Sequence, residues 1–295
     1  MTIPRIIHHI APKNKDTWHP VWDRCYPTWQ QHFPDHEHML WNDQEDIDDL
    51  VRSDYPEYWQ LYQDLPVHIN RIDFARLCIL HKYGGIYCDM DMFCYRNFAD
   101  ELTHPLHVVE APYGDEFLEN ALMCSEPGHE FWSDCMQLSK DQFYSQVQHR
   151  QIKVPFNNDR AAQFILTTVA GPNLICRVWR SWHQTGQVKT LPGVLYNNHG
   201  MSYHPEYRTK HMMTGMWGRE SVQAIASGSE KSLKHVLAQG YMREMRKYVQ
   251  LNDITVDTFD FYHDYTNGGM KTRFILNLDQ DHVDVTSNLQ GIQYG

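Results

Sequence analysis

The sequence has no segment that would place the protein in a membrane or on nucleic acid. No stretch reaches the ~18 uninterrupted apolar residues of a membrane-spanning helix, and the apolar run IPRIIHHI near the N-terminus is too short for a signal peptide. Lys and Arg form no basic stripe, and the formal net charge of -11 argues against binding to nucleic-acid phosphates. We therefore expect a soluble, cytoplasmic chain with no transmembrane segment and no nucleic-acid partner.

Paired cysteines, internal repeats and low-complexity tracts are also missing. The 7 cysteines contain no CxxC pair, and their odd number and apolar surroundings fit reduced, buried thiols better than a disulfide framework. A reducing compartment is the simpler interpretation. The 295 residues, 42% of them hydrophobic, are enough for one large α/β core with a small appendage.

What is present is an alternation of strand and helix patterns. A β-rich segment is followed by a helix entered through Pro20 and by a second strand, which predicts a β-α-β unit with parallel strands. A further helix should begin after Pro66 and end at the Gly84-Gly85 pair, and its apolar residues surround most of its circumference, as is typical of a buried helix. The predicted elements up to residue 93 are strands at 3–10, 37–43 and 86–93 and helices at 18–34, 45–64 and 67–83.

The second half of the chain has weaker patterns. NNDRAAQFILTTVAGPN predicts a helix closed by Gly171-Pro172, and LPGVLYNNHG predicts a strand and turn. SEKSLKHVLAQGYMREMRKYVQLN predicts an amphipathic helix, whereas TRFILNLDQDHVDVTS alternates like a hairpin or an edge strand. We therefore predict a main domain at 1–220 and a small α+β appendage at 221–295.

Two aspartates one residue apart, Asp89 and Asp91, lie in the apolar segment YGGIYCDMDMF. Residues two apart in a strand point to the same side, so both carboxylates should meet one target. The carboxyl ends of strands form the ligand crevice of open α/β sheets, and paired oxygen donors there suit a hard divalent cation such as Mn²⁺ or Mg²⁺ that also holds a diphosphate. Alternatively, one aspartate caps the next element and the other pairs with a Lys or Arg.

Asp73 and Arg76 stand three residues apart in RIDFAR, on one face of the helix that leads into the aspartate segment. A carboxylate beside a guanidinium offers the acceptors and fork-shaped donors that vicinal sugar hydroxyls require. The alternative is an ordinary ion pair between neighbouring turns of the helix, with no ligand.

The continuous segment INRIDFARLCILHKYGGIYCDMDMF resembles the signature of the DxD-containing glycosyltransferases of family 32, the group of the yeast initiating α-1,6-mannosyltransferase and of many capsule and cell-surface sugar transferases. It is also similar, more distantly, to the glucosyltransferase domains of large clostridial toxins. Weaker matches, among them NALMCSEPGHEFW and HMMTGMW, extend the resemblance over residues 3–217. The tryptophan that many relatives carry after the first strand is replaced by Ala11-Pro12, which leaves the donor's base open.

The resemblance implies a GT-A fold, which is a Rossmann-like, nucleotide-sugar-binding mixed sheet flanked by helices. It implies Mn²⁺ or Mg²⁺ as the cofactor, held by Asp89, Asp91 and His211, although His211 is one of 19 histidines and its match is also explained by coincidence. The implied catalytic residues are Asp73, Arg76, Asp89 and Asp91. The implied donor-binding residues are Ile7, His8, Asp73, Arg76, Tyr87, Asp89, Asn120 and Trp217.

The function implied by the resemblance is metal-dependent transfer of a hexosyl unit, with retention of anomeric configuration. The donor would be a UDP-sugar or GDP-mannose, and the acceptor a carbohydrate, a glycolipid or a protein. Three alternatives stay open: a toxin-like enzyme that glycosylates a protein, a DxD phosphatase, and a sugar-nucleotide-binding module without turnover. Met92 after the second aspartate, and the distance of the motif from the N-terminus, argue against the phosphatase.

Overall fold

The computed structural model describes residues 3–65, 68–111, 117–144, 168–199, 206–212 and 214, together with the backbone of four strands between 258 and 294. The described helices are α1 (Trp22–His32), α2 (Glu45–Asp54), α3 (Trp59–Asp64), α4 (His68–Tyr83), α5 (Glu130–Gln142), α6 (Pro172–Trp182) and α7 (Gly193–Tyr196). The strands before residue 212 are β1 (Ile6–Ala11), β2 (Glu37–Asn42), β3 (Gly85–Cys88), β4 (Met92–Cys94), β5 (Leu106–Glu110), β6 (Leu118–Ser125), β7 (Val188–Leu191), β8 (Asn198–His199) and β9 (Thr209–His211).

Six strands form one mixed sheet in the order β2-β1-β3-β6-β5-β7. β1 is parallel to both β2 and β3, whereas β6 is antiparallel to β3 and to β5, and β7 is parallel to β5. β4, β9 and β8 form a second, three-stranded sheet. The predicted β-α-β opening is therefore confirmed, and so is the predicted α/β fold class, a mixed sheet flanked by helices.

Both faces of the main sheet are covered at β3. Successive residues of a strand point to opposite faces, and here they enter different hydrophobic clusters. Tyr87 packs in the large cluster to which α2 to α6 contribute, whereas Ile86 and Cys88 pack with Trp29 of α1 and with Phe33, which follows that helix. Because both faces of β3 are buried, its sequence is a continuous apolar run. Polar groups can therefore lie only at the carboxyl end of the strand.

α4 is the buried helix that the sequence predicts, and its end positions the site. Gly84 and Gly85 have φ of 62° and 87°, a region that other residues rarely adopt. A Cβ atom on Gly85 would lie 2.5 Å from the Ile6 carbonyl oxygen, so only glycine lets the chain pass this close to β1. The chain therefore turns from α4 directly into β3, and polar residues of α4 come close to the end of that strand.

Two local predictions outside the aspartate segment are wrong, and proline explains both. The helix predicted at 45–64 is interrupted, because Pro56 has no N–H to continue α2 and begins a 3-10 turn before α3. The segment predicted as a strand and turn at 191–200 instead contains the end of β7, the short helix α7 after Pro192, and the two residues of β8. Most of the helix predicted to close at Gly171-Pro172 lies outside the described residues, and Pro172 itself begins α6.

In the C-terminal part, four strands form an antiparallel sheet: β10 (Thr258–His263), β11 (Met270–Asn277), β12 (His282–Ser287) and β13 (Gln293–Tyr294). β11 and β12 pair antiparallel, which confirms the predicted hairpin. The predicted amphipathic helix at 229–252 lies outside the described residues, and the domain boundary at 220 stays a prediction. All seven cysteines are free and buried, as predicted. In the part of the chain that the structure describes, no helix is both long enough and apolar enough to cross a membrane.

Buried histidines predict a loss of stability in acid. Burial lowers the pKa of His8 and that of His107 from 6.5 to about 4. Between these values the two imidazoles bind protons in the unfolded chain but not in the folded chain, so their contribution to the free energy of unfolding should be constant above pH 6.5 and fall as the pH is lowered towards 4. Urea unfolding across this pH window measures the slope.

His107→Leu should reduce that slope, because it removes one of the two imidazoles that bind a proton on unfolding. The substitution breaks no hydrogen bond among the described residues, since neither ring nitrogen of His107 has a partner there. The exposed His183 provides the matched control, since His183→Gln should leave the slope as it is. A His107→Leu variant with the full wild-type slope would contradict the assignment.

Candidate active site at the carboxyl end of β3

The aspartate segment is a turn and not the continuous strand predicted at 86–93. β3 ends at Cys88, the Met92 N–H donates to the Asp89 carbonyl at 3.1 Å, and β4 then begins in the second sheet. The Asp89 N–H still donates to the Ala121 carbonyl of β6, at 2.9 Å. The two carboxylates therefore converge because the chain turns between them, and not because residues alternate along a strand. Their place at the carboxyl end of β3 is the one predicted.

Arg76 is the centre of the site. Its guanidinium, in a residue only 2% exposed, lies 2.9 Å from Asp73 Oδ1 and 3.3 Å from Asp89 Oδ1. Arg76 Nη1 also donates to the Asn120 carbonyl at 2.6 Å, and the guanidinium carbon lies 4.7 Å from the centre of the Tyr87 ring. One side chain thus joins α4 to β3, to β6 and to the turn between the aspartates.

Two further hydrogen bonds complete this group. The Asn120 amide donates to Asp73 Oδ1 at 2.8 Å, and the Tyr87 hydroxyl donates to Asp89 Oδ1 at 2.8 Å. The structure therefore brings together five residues that the sequence analysis singled out separately, Asp73, Arg76, Tyr87, Asp89 and Asn120. Their contact with a donor stays a prediction.

Asp91 faces the other side of the turn, towards β9. Asp91 Oδ1 lies 3.3 Å from His211 Nε2, while Asp91 Oδ2 accepts from both the N–H and the hydroxyl of Thr214, each at 2.9 Å. His211 is brought there by β9, which pairs with β4 so that His211 lies opposite Met92. One ligand atom each from Asp89, Asp91 and His211 lies within 4.8 Å of the others. Two carboxylate oxygens and an imidazole nitrogen form a donor set that suits Mn²⁺ or Mg²⁺.

Burial raises the pKa of Asp73 to about 7, although Arg76 and the Asn120 amide favour the charged form. Burial also raises the pKa of Asp89 above its ordinary value, again against the attraction of Arg76. For Arg76 the balance goes the other way: burial alone lowers its pKa, but Asp89, Tyr87 and Asp73 outweigh burial and keep the guanidinium charged. The buried guanidinium of Arg76 thus stabilises the charged forms of Asp73 and Asp89, which burial disfavours.

Asp91 and His211 form a second ion pair at the site, with a negative carboxylate and a positive imidazole. Burial would raise the pKa of Asp91, but His211 and the donors of Thr214 hold it well below its ordinary value. Burial would lower the pKa of His211, but the Asp91 and Asp89 carboxylates raise it to about 9. Without a metal ion the His211 imidazole therefore holds a proton beside the carboxylates, and Nε2 would have to give up that proton to act as a metal ligand.

Of the predicted donor-binding residues, two lie away from this cluster, in the interior beside β3, and one lies outside the residues that the structure describes. Ile7 is fully buried in the cluster with Trp29. His8 is fully buried as well: its Nδ1 accepts from Trp41 Nε1 at 3.2 Å, so its Nε2 donates to the Gly84 carbonyl at 2.9 Å. Both ring nitrogens of His8 are thus occupied by the protein, which gives this residue a structural role. Trp217 lies outside the described residues.

The sequence analysis missed two residues at the site. Thr214 belongs to the quoted segment HMMTGMW, but nothing in its spacing indicates that both its donors bind Asp91. Glu119 precedes Asn120 in β6, and its charge raises the pKa of both Asp73 and His211. A lone glutamate in a strand gives no sequence signal of this kind.

The match to a known family covers the centre of this site. Residues 20–107 match the family described as "Glycosyltransferase sugar-binding region containing DXD motif". The matched segment includes Asp73, Arg76, Asp89 and Asp91. The predicted resemblance to DxD-containing glycosyltransferases is therefore confirmed for the part of the chain that builds the core of the site.

The chain is also similar to curated mannosyltransferases of yeasts. Over 132 residues it is 35% identical to an inositol phosphoceramide mannosyltransferase of Schizosaccharomyces pombe, covering 44% of this chain and 35% of the relative. Over 212 residues it is 25% identical to a mannosyl phosphorylinositol ceramide synthase of Saccharomyces cerevisiae, covering 68% of this chain and 49% of the relative. The chain thus spans at most about half the length of these two relatives.

Among solved structures, the protein titled PaToxG glycosyltransferase matches with a TM-score of 0.41 and 15% sequence identity. The match covers 61% of this chain and 69% of that chain.

Removing the Arg76 charge should destabilise the fold strongly. Arg76→Met leaves Asp73 and Asp89 buried without their cation, and breaking a buried ion pair in this way costs about 3–5 kcal/mol. The matched control is Arg52→Met, because Arg52 forms the same i,i+3 pair with Asp49 but on the exposed surface. An exposed pair contributes about 1 kcal/mol or less.

Urea unfolding at neutral pH measures both differences. We expect a large loss of unfolding free energy for Arg76→Met and a small one for Arg52→Met. Equal losses for the two variants would mean that Arg76 is not the cation on which the buried carboxylates depend.

Proposed function

We propose that this protein is a metal-dependent, retaining glycosyltransferase that moves a hexosyl unit from a nucleotide-diphosphate sugar to an acceptor hydroxyl. The observation that carries the proposal is the convergence of Asp89, Asp91 and His211 directly beside the Asp73–Arg76 pair. A cation site next to a carboxylate–guanidinium pair matches a substrate with a diphosphate at one end and vicinal hydroxyls at the other.

The cofactor we propose is Mn²⁺ or Mg²⁺, held by Asp89, Asp91 and His211. These residues fit it, because hard oxygen donors and one imidazole converge at a partly buried edge with excess negative charge. When bound, the cation supplies Lewis-acid stabilisation for the departing diphosphate, an effect of several kcal/mol.

The protein's own residues would hold the sugar. Asp73 and Asn120 present acceptor and donor atoms in a group that Arg76 makes rigid, so sugar hydroxyls would meet preorganised partners. Orienting the ring in this way directs the acceptor hydroxyl to the anomeric carbon as its bond to the diphosphate breaks. In a front-face reaction the acceptor's oxygen forms the new bond to that carbon, and its proton passes to the departing phosphate oxygen.

The names of the curated relatives favour one donor and one acceptor class. Both are named for mannosyl transfer, which favours GDP-mannose over a UDP-sugar, and both names include an inositol-containing ceramide, which favours a glycolipid over a protein acceptor. A protein acceptor, as in a toxin-like enzyme, is the second candidate. Ala11-Pro12 in place of the usual tryptophan keeps the choice of base an experimental question.

Donor hydrolysis tests the reaction class without knowledge of the acceptor. The purified chain is incubated with Mn²⁺ and, separately, with GDP-mannose, UDP-glucose, UDP-galactose and UDP-N-acetylglucosamine, and the released nucleoside diphosphate is measured. We expect slow hydrolysis of one donor, GDP-mannose first, and its loss with EDTA and in Asp91→Asn, since losing a metal ligand removes the stabilised leaving group.

The matched control is Asp23→Asn, which makes the same change at an exposed position of α1 and should keep the wild-type rate. Absence of hydrolysis together with absence of donor binding in calorimetry would reject the proposal in favour of a module without transferase chemistry. Release of inorganic phosphate in place of a nucleoside diphosphate would support the phosphatase alternative.

A further inference from the structure

Asp91 accepts three hydrogen bonds from Met212 and Thr214, two residues that lie outside the DxD motif. Its carbonyl accepts from the Met212 N–H at 2.9 Å, in addition to the two bonds from Thr214 to Oδ2. Thr214 in turn is contacted by α1, because Trp22 Nε1 lies 3.4 Å from Thr214 Oγ1 and points its N–H at that oxygen. Asp91 and Thr214 are 7% and 5% exposed, so water competes little for these bonds.

The direction of these hydrogen bonds follows from the chemistry of the groups. Indole Nε1 only donates, and a carboxylate only accepts. The Thr214 hydroxyl therefore accepts from Trp22 and gives its one hydrogen to Asp91. Together with the Thr214 N–H, this occupies both lone pairs of Oδ2 and leaves Oδ1, 3.3 Å from His211 Nε2, as the oxygen that can face a cation.

We propose that Trp22 and Thr214 form a positioning relay that fixes the Asp91 carboxylate so that only Oδ1 is presented to the divalent cation. This inference rests on the metal-dependent function proposed above. A carboxylate restricted to one oxygen suits Mn²⁺ and Mg²⁺, which keep compact coordination, whereas Ca²⁺ readily takes both oxygens of a carboxylate. The relay is therefore a determinant of metal selectivity as well as of metal affinity.

Metal binding to the full chain, measured without donor, tests the relay. The water-proton relaxation of Mn²⁺ gives the Mn²⁺ affinity, and competition by Ca²⁺ gives the selectivity. Thr214→Val removes the hydroxyl but keeps the backbone donor and the shape of the side chain. We expect it to weaken Mn²⁺ binding by about tenfold and to reduce the preference for Mn²⁺ over Ca²⁺, because outer partners of metal ligands typically carry effects of that size.

Three further variants separate positioning from general damage. Thr214→Ser keeps the hydroxyl and should restore both affinity and selectivity. Trp22→Phe removes the indole N–H and should weaken Mn²⁺ binding in wild type but add nothing to Thr214→Val, because the two residues act through the same hydrogen bond. Thr185→Val is the matched control, since the Thr185 hydroxyl donates to the Trp182 carbonyl on the exposed surface.

The outcomes distinguish this inference from the function on which it rests. If wild type binds Mn²⁺, Asp91→Asn does not, and Thr214→Val matches wild type in affinity and selectivity, the relay is rejected while the metal site stands. If Thr214→Val weakens Mn²⁺ binding and Thr214→Ser weakens it equally, the relay is also rejected. If wild type and Asp91→Asn bind Mn²⁺ equally, or neither binds it, the metal site itself is rejected and the relay with it.

Discussion

The buried guanidinium of Arg76 is the interaction on which the rest of the site depends. It binds Asp73 on its own helix, Asp89 at the end of β3 and the backbone of Asn120 in β6, and it lies over the Tyr87 ring. Without a cation at this position, two carboxylates would lie in the protein interior at a cost of several kcal/mol each. The glycine turn that joins α4 to β3 is what brings these groups within reach of one another.

The site as a whole carries more negative than positive charge, and this imbalance supports the proposed cation site. Asp73, Asp89 and Asp91 face Arg76 and a protonated His211, while Glu119 adds a further negative charge nearby. In an ordinary structural network the charges would cancel. An excess of carboxylate oxygens at the carboxyl end of a strand instead favours binding of a divalent cation. The positive charge that the carboxylates leave uncompensated on the cation then favours binding of a diphosphate.

The elements that build the site could be predicted from the sequence, but its geometry could not. The apolar helix before Gly84-Gly85 and the parallel β-α-β opening follow from periodicity and from turn residues, and the D-x-x-R and D-x-D spacings located four of the central residues. The turn between Asp89 and Asp91 was hidden because its flanking residues read as one strand. Thr214 and Glu119 were missed because their contacts depend on β9 and β6 meeting the turn, which no local pattern encodes.

The most direct test of the central claim is to locate the cation. Crystals grown with Mn²⁺ and GDP or UDP, measured near the manganese absorption edge, report its position independently of activity. We expect an anomalous peak at the turn, within ligand distance of Asp89, Asp91 and His211, with the diphosphate on its open side and Thr214 still bound to Asp91. A bound nucleotide without manganese at these three residues, or manganese bound at other residues, would contradict it.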